Sequence, residues 1–163
     1  MPVNRFPIQL RFGDEDANGH VNNVRYLQFL EDARVRLGML PVPDGADGGG
    51  DGVVTFRGLV GAACRTFVAR QEIEYLAPLT YRPEPVLVET WTTSIGTSSF
   101  GYGFRLTDDD GVPTYALAEA TMVLVDAETG APRRLSEAQR RVLASWQAGP
   151  VPFRRRPVAA GER

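Results

Sequence analysis

The chain has 163 residues, 43% of them hydrophobic and 23% charged, with a formal net charge of −2. That length suits one domain with a real core, and the charge excludes nucleic acid as the main partner because no basic excess exists to neutralise phosphates. All 18 basic residues are arginine, which excludes Schiff-base chemistry, pyridoxal phosphate attachment and a lysine-bearing phosphate loop.

No apolar run approaches the roughly 20 residues that span a bilayer, and Met1 to Arg5 lacks the apolar core of a signal peptide. No membrane partner and a cytoplasmic location are therefore expected. The single cysteine, Cys64, can make no internal disulfide, which suits a reducing compartment.

Phe6 to Phe12 alternates apolar and polar residues and predicts a first strand. A loop with two aspartates, Asp14 and Asp16, and the sole histidine, His20, leads to Asn22, a plausible N-cap. From Asn23, the residues Tyr26, Phe29, Leu30, Ala33 and Leu37 fall on one helical face. Val24, Leu27 and Val35 add apolar surface elsewhere, so the helix is expected to be well covered, and Gly38 with Pro41 ends it. Pro41 to Gly52 is too glycine-rich for regular structure and reads as a long surface loop within the domain.

Beyond it the period changes to two. Strands are predicted at Ala63 to Leu76, Val86 to Ile95, Phe100 to Thr107 and Pro113 to Asp126, joined by short turns that favour antiparallel neighbours. In the last of them Ala116, Ala118, Ala120, Met122 and Leu124 share a face whose small residues would let the first helix approach closely. Ser136 to Gln147 predicts a C-terminal helix with Ser136 and Gln139 as a capping box. The expected organisation is one domain over residues 1–149 and a disordered tail over 150–163. One long helix on an antiparallel sheet is an α+β arrangement. Its open edges and uncovered face make a homodimer the natural completion.

Carboxylates beside a helix N-terminus are parts enough for attack on a carbonyl, because the helix end favours developing negative charge. Read alone, Asp16 could equally be a loop aspartate stabilising a turn through its own backbone, and Asp14 could hold the loop or pair with Arg11. Beside these aspartates His20 could be a base, a ligand or a shaping residue. No cysteine cluster or second histidine completes a zinc set, and an all-oxygen magnesium site from Asp14 and Asp16 is a minor alternative. No metal or cofactor is expected. Cys64 has only His20 as a possible base partner and reads as a small hydrophobe. Ser98 and Ser99 do not form a Gly-x-Ser-x-Gly elbow, and His20 precedes every serine.

The run Asp-x-Asp-x-x-Gly-His-Val-Asn-Asn-x-x-Tyr at Asp14 to Tyr26, followed by Glu31-Asp32-Ala33-Arg34, resembles the hot-dog fold acyl-CoA thioesterases of the 4-hydroxybenzoyl-CoA thioesterase type. Glu72 to Leu79, Ile95 to Phe100 and Val123 to Asp126 add weaker matches, so the resemblance covers roughly Arg5 to Leu143. It implies a hot-dog fold, an antiparallel sheet wrapped around one long helix, and assembly as a homodimer or homotetramer. It implies that Asp16 is the catalytic carboxylate, as nucleophile or as general base for water, and that the Asn23 backbone N–H holds the carbonyl oxygen. A preorganised donor there contributes roughly 3–4 kcal/mol to the transition state.

By the same resemblance His20 shapes the site beside the thioester, with an assisting chemical role as the alternative. Asn22 combines capping with substrate contact, Tyr26 lines the acyl pocket or the core, and the Ser98–Ser99 turn lies near the bound thioester. The substrate implied is an acyl-CoA, with acyl-ACP as an alternative. Arg57, Arg65, Arg70 and Arg82 are candidates for the coenzyme A phosphates, and the Arg154–Arg156 run reads as a solvated tail. Two competing readings are a non-catalytic acyl-CoA-binding module on this fold and a hot-dog enoyl-CoA hydratase. The hydratase uses an Asp and a His about five apart, whereas Asp16 and His20 are four apart.

Overall fold

The computed structural model describes residues 3–42 and 54–154. Strand β1 (Asn4–Ile8) is followed by a single 3-10 turn, Phe12–Asp14, rather than by continued strand to Phe12. The Asp14 carboxylate takes the Arg11 backbone N–H at 2.7 Å and bends the chain there. The apolar alternation thus runs past the strand, and Phe12 lands on the surface against the Tyr81 ring.

Helix α1 (Asn23–Gly38) starts and ends where the sequence predicts, and it buries Tyr26, Phe29, Leu30, Ala33 and Leu37. A short helix, α2 (Phe56–Val60), was not expected, because five residues carry no readable period. Thr55 caps it through the Gly58 N–H, and Phe56 fixes it by edge-on contacts with Phe100 and Trp146.

Strands β2 (Cys64–Tyr75), β3 (Val86–Ile95), β4 (Ser99–Thr107) and β5 (Thr114–Asp126) match the predicted segments to within a residue at either end. They form one five-stranded antiparallel sheet in the order β1-β3-β4-β5-β2, which leaves β1 and β2 as its edges. On the face that carries α1, Phe100, Tyr102, Phe104 and Leu106 of β4 stand opposite Met122, Ala120, Ala118 and Ala116 of β5. The small residues of β5 therefore make room for the bulky side chains of β4. The backbone of α1 comes nearest to β1 and β3, not to the alanine stripe as the sequence suggests.

On the opposite face Trp91 lies over Gly103, where an added Cβ would stand 2.6 Å from the indole. Glu89, buried on that face, bridges Arg5 of β1 and Arg105 of β4. The capping box at Ser136 opens α3 (Glu137–Ser145) as predicted. The chain then runs along this face, where Gly149 accepts the Trp91 indole N–H at 2.8 Å and Val151 packs on Trp91 and Leu117. Residues 150–154 of the expected tail are thus described, and 155–163 lie outside the described residues. Of the Pro41 to Gly52 loop, only Pro41 and Val42 are described, and the Val42 N–H bonds Val54 at 2.8 Å.

The connection between β4 and β5 is tied to the one between β2 and β3 by Asp108, which accepts from the Arg82 guanidinium and the Tyr115 hydroxyl. The Arg82 hydrogen bond holds the Asp108 carboxyl below its ordinary value of 3.8. A carboxyl lowered in the folded state adds stability that is present at neutral pH and lost as pH falls through the folded pKa. Asp108→Asn should therefore cost about 2 kcal/mol at neutral pH. In thermal unfolding, the gap between variant and parent should close only once the pH is below 3.8.

Candidate active site

The loop joining β1 to α1 is closed by main-chain bonds at several points. Asp14 is buried, and its carbonyl accepts the Asn22 N–H at 2.8 Å. The second oxygen of its carboxylate faces Arg25 Nε at 3.5 Å. Asp14 therefore holds the loop, as expected, but its ion partner is Arg25 rather than Arg11. Beyond it, the Asp16 N–H bonds the His20 carbonyl at 2.9 Å and the Gly19 N–H bonds the Asp16 carbonyl at 3.0 Å. Gly19 sits at φ +75°, a left-handed conformation that favours glycine.

The Asp16 side chain accepts the Asn18 backbone N–H through Oδ1 at 2.8 Å. The turn-stabilising role considered for Asp16 is thus real. It occupies one carboxylate oxygen and leaves Oδ2 without a protein donor among the described residues. Two longer-range bonds pin this turn to the connection after β2. The Val21 N–H donates to Leu79 at 2.7 Å, and the Tyr81 N–H donates to the Glu15 carboxylate at 2.7 Å.

Asn22 is the N-cap of α1, and its Oδ1 accepts the Val24 N–H at 3.0 Å. The first N–H groups of a helix have no partner within it. With Val24 capped, the Asn23 N–H finds no acceptor among the described residues. It points the positive end of α1 outward.

An open groove of about 350 Å³ lies at this end, lined by His20, Asn23, Tyr26, Tyr75 and the Leu76–Pro78 segment. Tyr75 donates its hydroxyl to the Asn23 carbonyl at 3.2 Å and meets the Tyr26 ring edge-on at 5.1 Å. Burial pushes the Tyr26 phenol up from its ordinary value, partly opposed by a main-chain hydrogen bond at Leu79. Burial also raises Tyr75. Both rings are therefore neutral walls at physiological pH.

The structure thus brings His20, Asn23 and Tyr26 together at one groove. Asp16 does not line it directly and joins it through the His20 carbonyl, while Asn22 acts from below as the cap. Ser98 and Ser99 are not brought there. Ser99 pairs with Val123 and Tyr75 with Ala116, so they stand seven residues apart along β5, about 23 Å at the rise of a strand. Cys64 likewise begins the strand that Tyr75 ends, so it does not meet His20 within one chain. Sequence reasoning missed Tyr75, although it sits in the Glu72 to Leu79 run that carries the family resemblance.

Of the four arginines considered for phosphate, Arg82 is engaged by Asp108 and Tyr115, and Arg70 by Glu72. Arg65 is exposed on β2. Arg57 borders a second cavity of about 340 Å³, between the C-terminal half of α1, α2 and the first half of β2. Among the described residues, no group of histidine, cysteine and carboxylate side chains is arranged to hold a metal ion. No described helix is long and apolar enough to cross a membrane.

The model of the thioesterase-like superfamily matches residues 10–146. A thioesterase from Thermus thermophilus, solved with coenzyme A and zinc, is 31% identical; the match covers 87% of this chain and 97% of that one, with a TM-score of 0.64. A 1,4-dihydroxy-2-naphthoyl-CoA thioesterase from Synechocystis is 13% identical over 87% and 96% of the two chains, with a TM-score of 0.69. A DHNA-CoA thioesterase from Staphylococcus aureus is 18% identical over 88% and 93%, with a TM-score of 0.70. These last two share the fold. No curated protein sequence matches significantly.

Because Asn22 supplies the cap at the helix end that faces the groove, Asn22→Ala should lower stability by about 1 kcal/mol, and Asn22→Asp by a few tenths at most. Urea unfolding of the two variants against the parent checks this.

Proposed function

The chain belongs to the thioesterase-like superfamily, and on that premise we propose that it is a cytoplasmic hydrolase of acyl-CoA thioesters, releasing a carboxylic acid and free coenzyme A. One observation carries the reading. A single loop, closed by its own main-chain bonds, holds a half-occupied carboxylate at Asp16 and hands the chain to an uncapped N–H at Asn23.

In this mechanism the thioester carbonyl oxygen lies against the Asn23 N–H, where negative charge develops during attack. Oδ2 of Asp16 takes a proton from water as the water oxygen bonds the carbonyl carbon. The tetrahedral intermediate then expels the coenzyme A thiolate, which leaves as the thiol once it has taken a proton. Asp16 is assigned as base rather than nucleophile because it stands behind the groove instead of lining it, which leaves room for a water between its carboxylate and the carbonyl carbon. His20 shapes the rim of the groove, and Tyr26 and Tyr75 wall it.

The working form we propose is a homodimer joined along β2, a unit that a tetramer would also contain. This strand is a sheet edge of twelve residues, and a long open edge is a template for pairing. Phe67 and Val68 on it are 55% and 38% exposed, and Val24 and Val35 of α1 are 58% and 44% exposed. The cover expected for the helix is incomplete among the described residues, which supports a second copy. Antiparallel pairing about the middle of β2 sets the Cys64 end of one strand beside the Tyr75 end of the other. The groove of one protomer then meets the second cavity, and the Ser98–Ser99 turn, of its partner.

Three experiments test these readings. Thiol release from a panel of short, long and aromatic acyl-CoAs should be lost by at least roughly a hundredfold in Asp16→Asn, with folding and binding kept. Retained activity overturns the role of Asp16, and binding without release by the parent favours a binding module. In a single turnover in ¹⁸O-water, label should appear in the product acid and not in Asp16. In sedimentation the parent should run as at least two chains of 17.9 kDa, and Phe67→Glu should shift it toward one.

A further inference from the structure

The second cavity has apolar walls and a polar floor. Phe56, Phe100 and Met122 supply the walls, and Arg34 and Tyr102 reach it from α1 and β4. The Arg34 side chain is 16% exposed, and Nη1 lies 3.2 Å from Met122 Sδ, a weak acceptor. Nη2 pairs with Glu31 at 3.1 Å, but that carboxylate is 64% exposed and does not line the cavity. A guanidinium carries five donors, so Arg34 is a largely desolvated cation with most of its donors unspent among the described residues.

Tyr102 stands beside it. The residue is 3% exposed, its ring is fixed edge-on between Phe100 and Phe104, and its hydroxyl has no hydrogen-bond partner among the described residues. A ligand that excludes water from this hydroxyl must itself offer it a partner. Burial raises the Tyr102 phenol far above its ordinary value, so it remains a neutral donor. Among the described residues no carboxylate lines the cavity.

We infer that this cavity receives the acyl group of the substrate and that Arg34 and Tyr102 select acyl groups ending in a carboxylate. The apolar walls take the methylene chain, the guanidinium takes the distal carboxylate, and the Tyr102 hydroxyl adds a hydrogen bond. A plain alkyl chain of equal length would leave both donors buried and unpaired, which is how sites built for a polar group reject its analogue. Arg57 borders the same cavity from α2 and adds positive charge. Arg34 is too desolvated for a coenzyme A phosphate that stays in water. This inference rests on the proposed thioester hydrolysis and on the dimer that joins the cavity to the groove.

The test compares adipoyl-CoA with hexanoyl-CoA, which match in length and differ in the distal carboxylate. With the full-length protein, kcat/KM from thiol release should favour adipoyl-CoA by at least about tenfold, a margin in line with rejection of an analogue that leaves polar groups unpaired. Arg34→Gln should collapse that ratio toward one, and Tyr102→Phe, which keeps the ring, should reduce it several-fold. A parent that prefers hexanoyl-CoA, or variants that keep the ratio, overturn the inference. Calorimetric binding of both esters to Asp16→Asn separates the two levels of the argument. Tighter binding of adipoyl-CoA without any hydrolysis by the parent would keep the cavity's selectivity and sink the hydrolase reading. Equal binding would sink the selectivity, whatever the turnover.

Discussion

The buried carboxylate of Asp14 is the contact on which the geometry of the groove depends. Through one oxygen it takes the Arg11 N–H and bends the chain after β1, and through the other it meets Arg25 in the first turn of α1. Arginine at the positive end of a helix is unfavourable by itself. Asp14 offsets that charge locally, so the helix can begin at Asn23 with Arg25 in place. Its carbonyl meanwhile receives the Asn22 N–H, which fixes where the cap falls. Removing this carboxylate would leave a cation at the helix start and free the loop at both ends.

The two aspartates of the loop then divide their work by burial. Asp14 is sealed and both its oxygens are engaged. Asp16 is half-buried, with one oxygen spent on Asn18 and the other open. A carboxylate held by a single short local bond is oriented without being consumed. That is the state a base or nucleophile needs, since its reactive lone pair must face the substrate while its position stays fixed. The Val21–Leu79 bond extends the same logic, because it ties this turn to the segment that follows Tyr75.

Much of this was legible in the sequence wherever a period or a cap carried the signal. The start of α1 at Asn23 and its buried face followed from Asn22 and the spacing of Tyr26 to Leu37, and β3 to β5 followed from alternation between turn residues. The errors have physical causes. Alternation continues through Phe12, but a side-chain bond from Asp14 overrides it. Helix α2 is too short to show a period and is held by tertiary contacts of Phe56. The alanines of β5 looked like a seat for α1, yet they accommodate the aromatic residues of β4 in the neighbouring strand, a cross-strand match that no single segment reveals. Tyr75 and Arg34 stood in recognised runs, but only the folded chain brings one to the Asn23 carbonyl and the other to a cavity.

The distribution of these parts along β2 bears on the proposed dimer. The groove at Asn23 opens beside the end of the strand at Tyr75, and the cavity with Arg34 opens beside its beginning at Thr66. Along an extended strand those ends are too far apart for one short acyl chain to touch both. Any pairing of β2 with itself must be antiparallel about a two-fold axis, because a C2 interface presents the same patch from both sides. Such an axis near the middle of the strand maps each end onto the other, and the separation that divides the two openings in one chain becomes proximity between chains. In the proposed dimer the thioester would be met by one copy and the far end of the acyl group by the other. Two equivalent sites would then form together or not at all, and the exposed edge would be stabilised by the same contact that completes them.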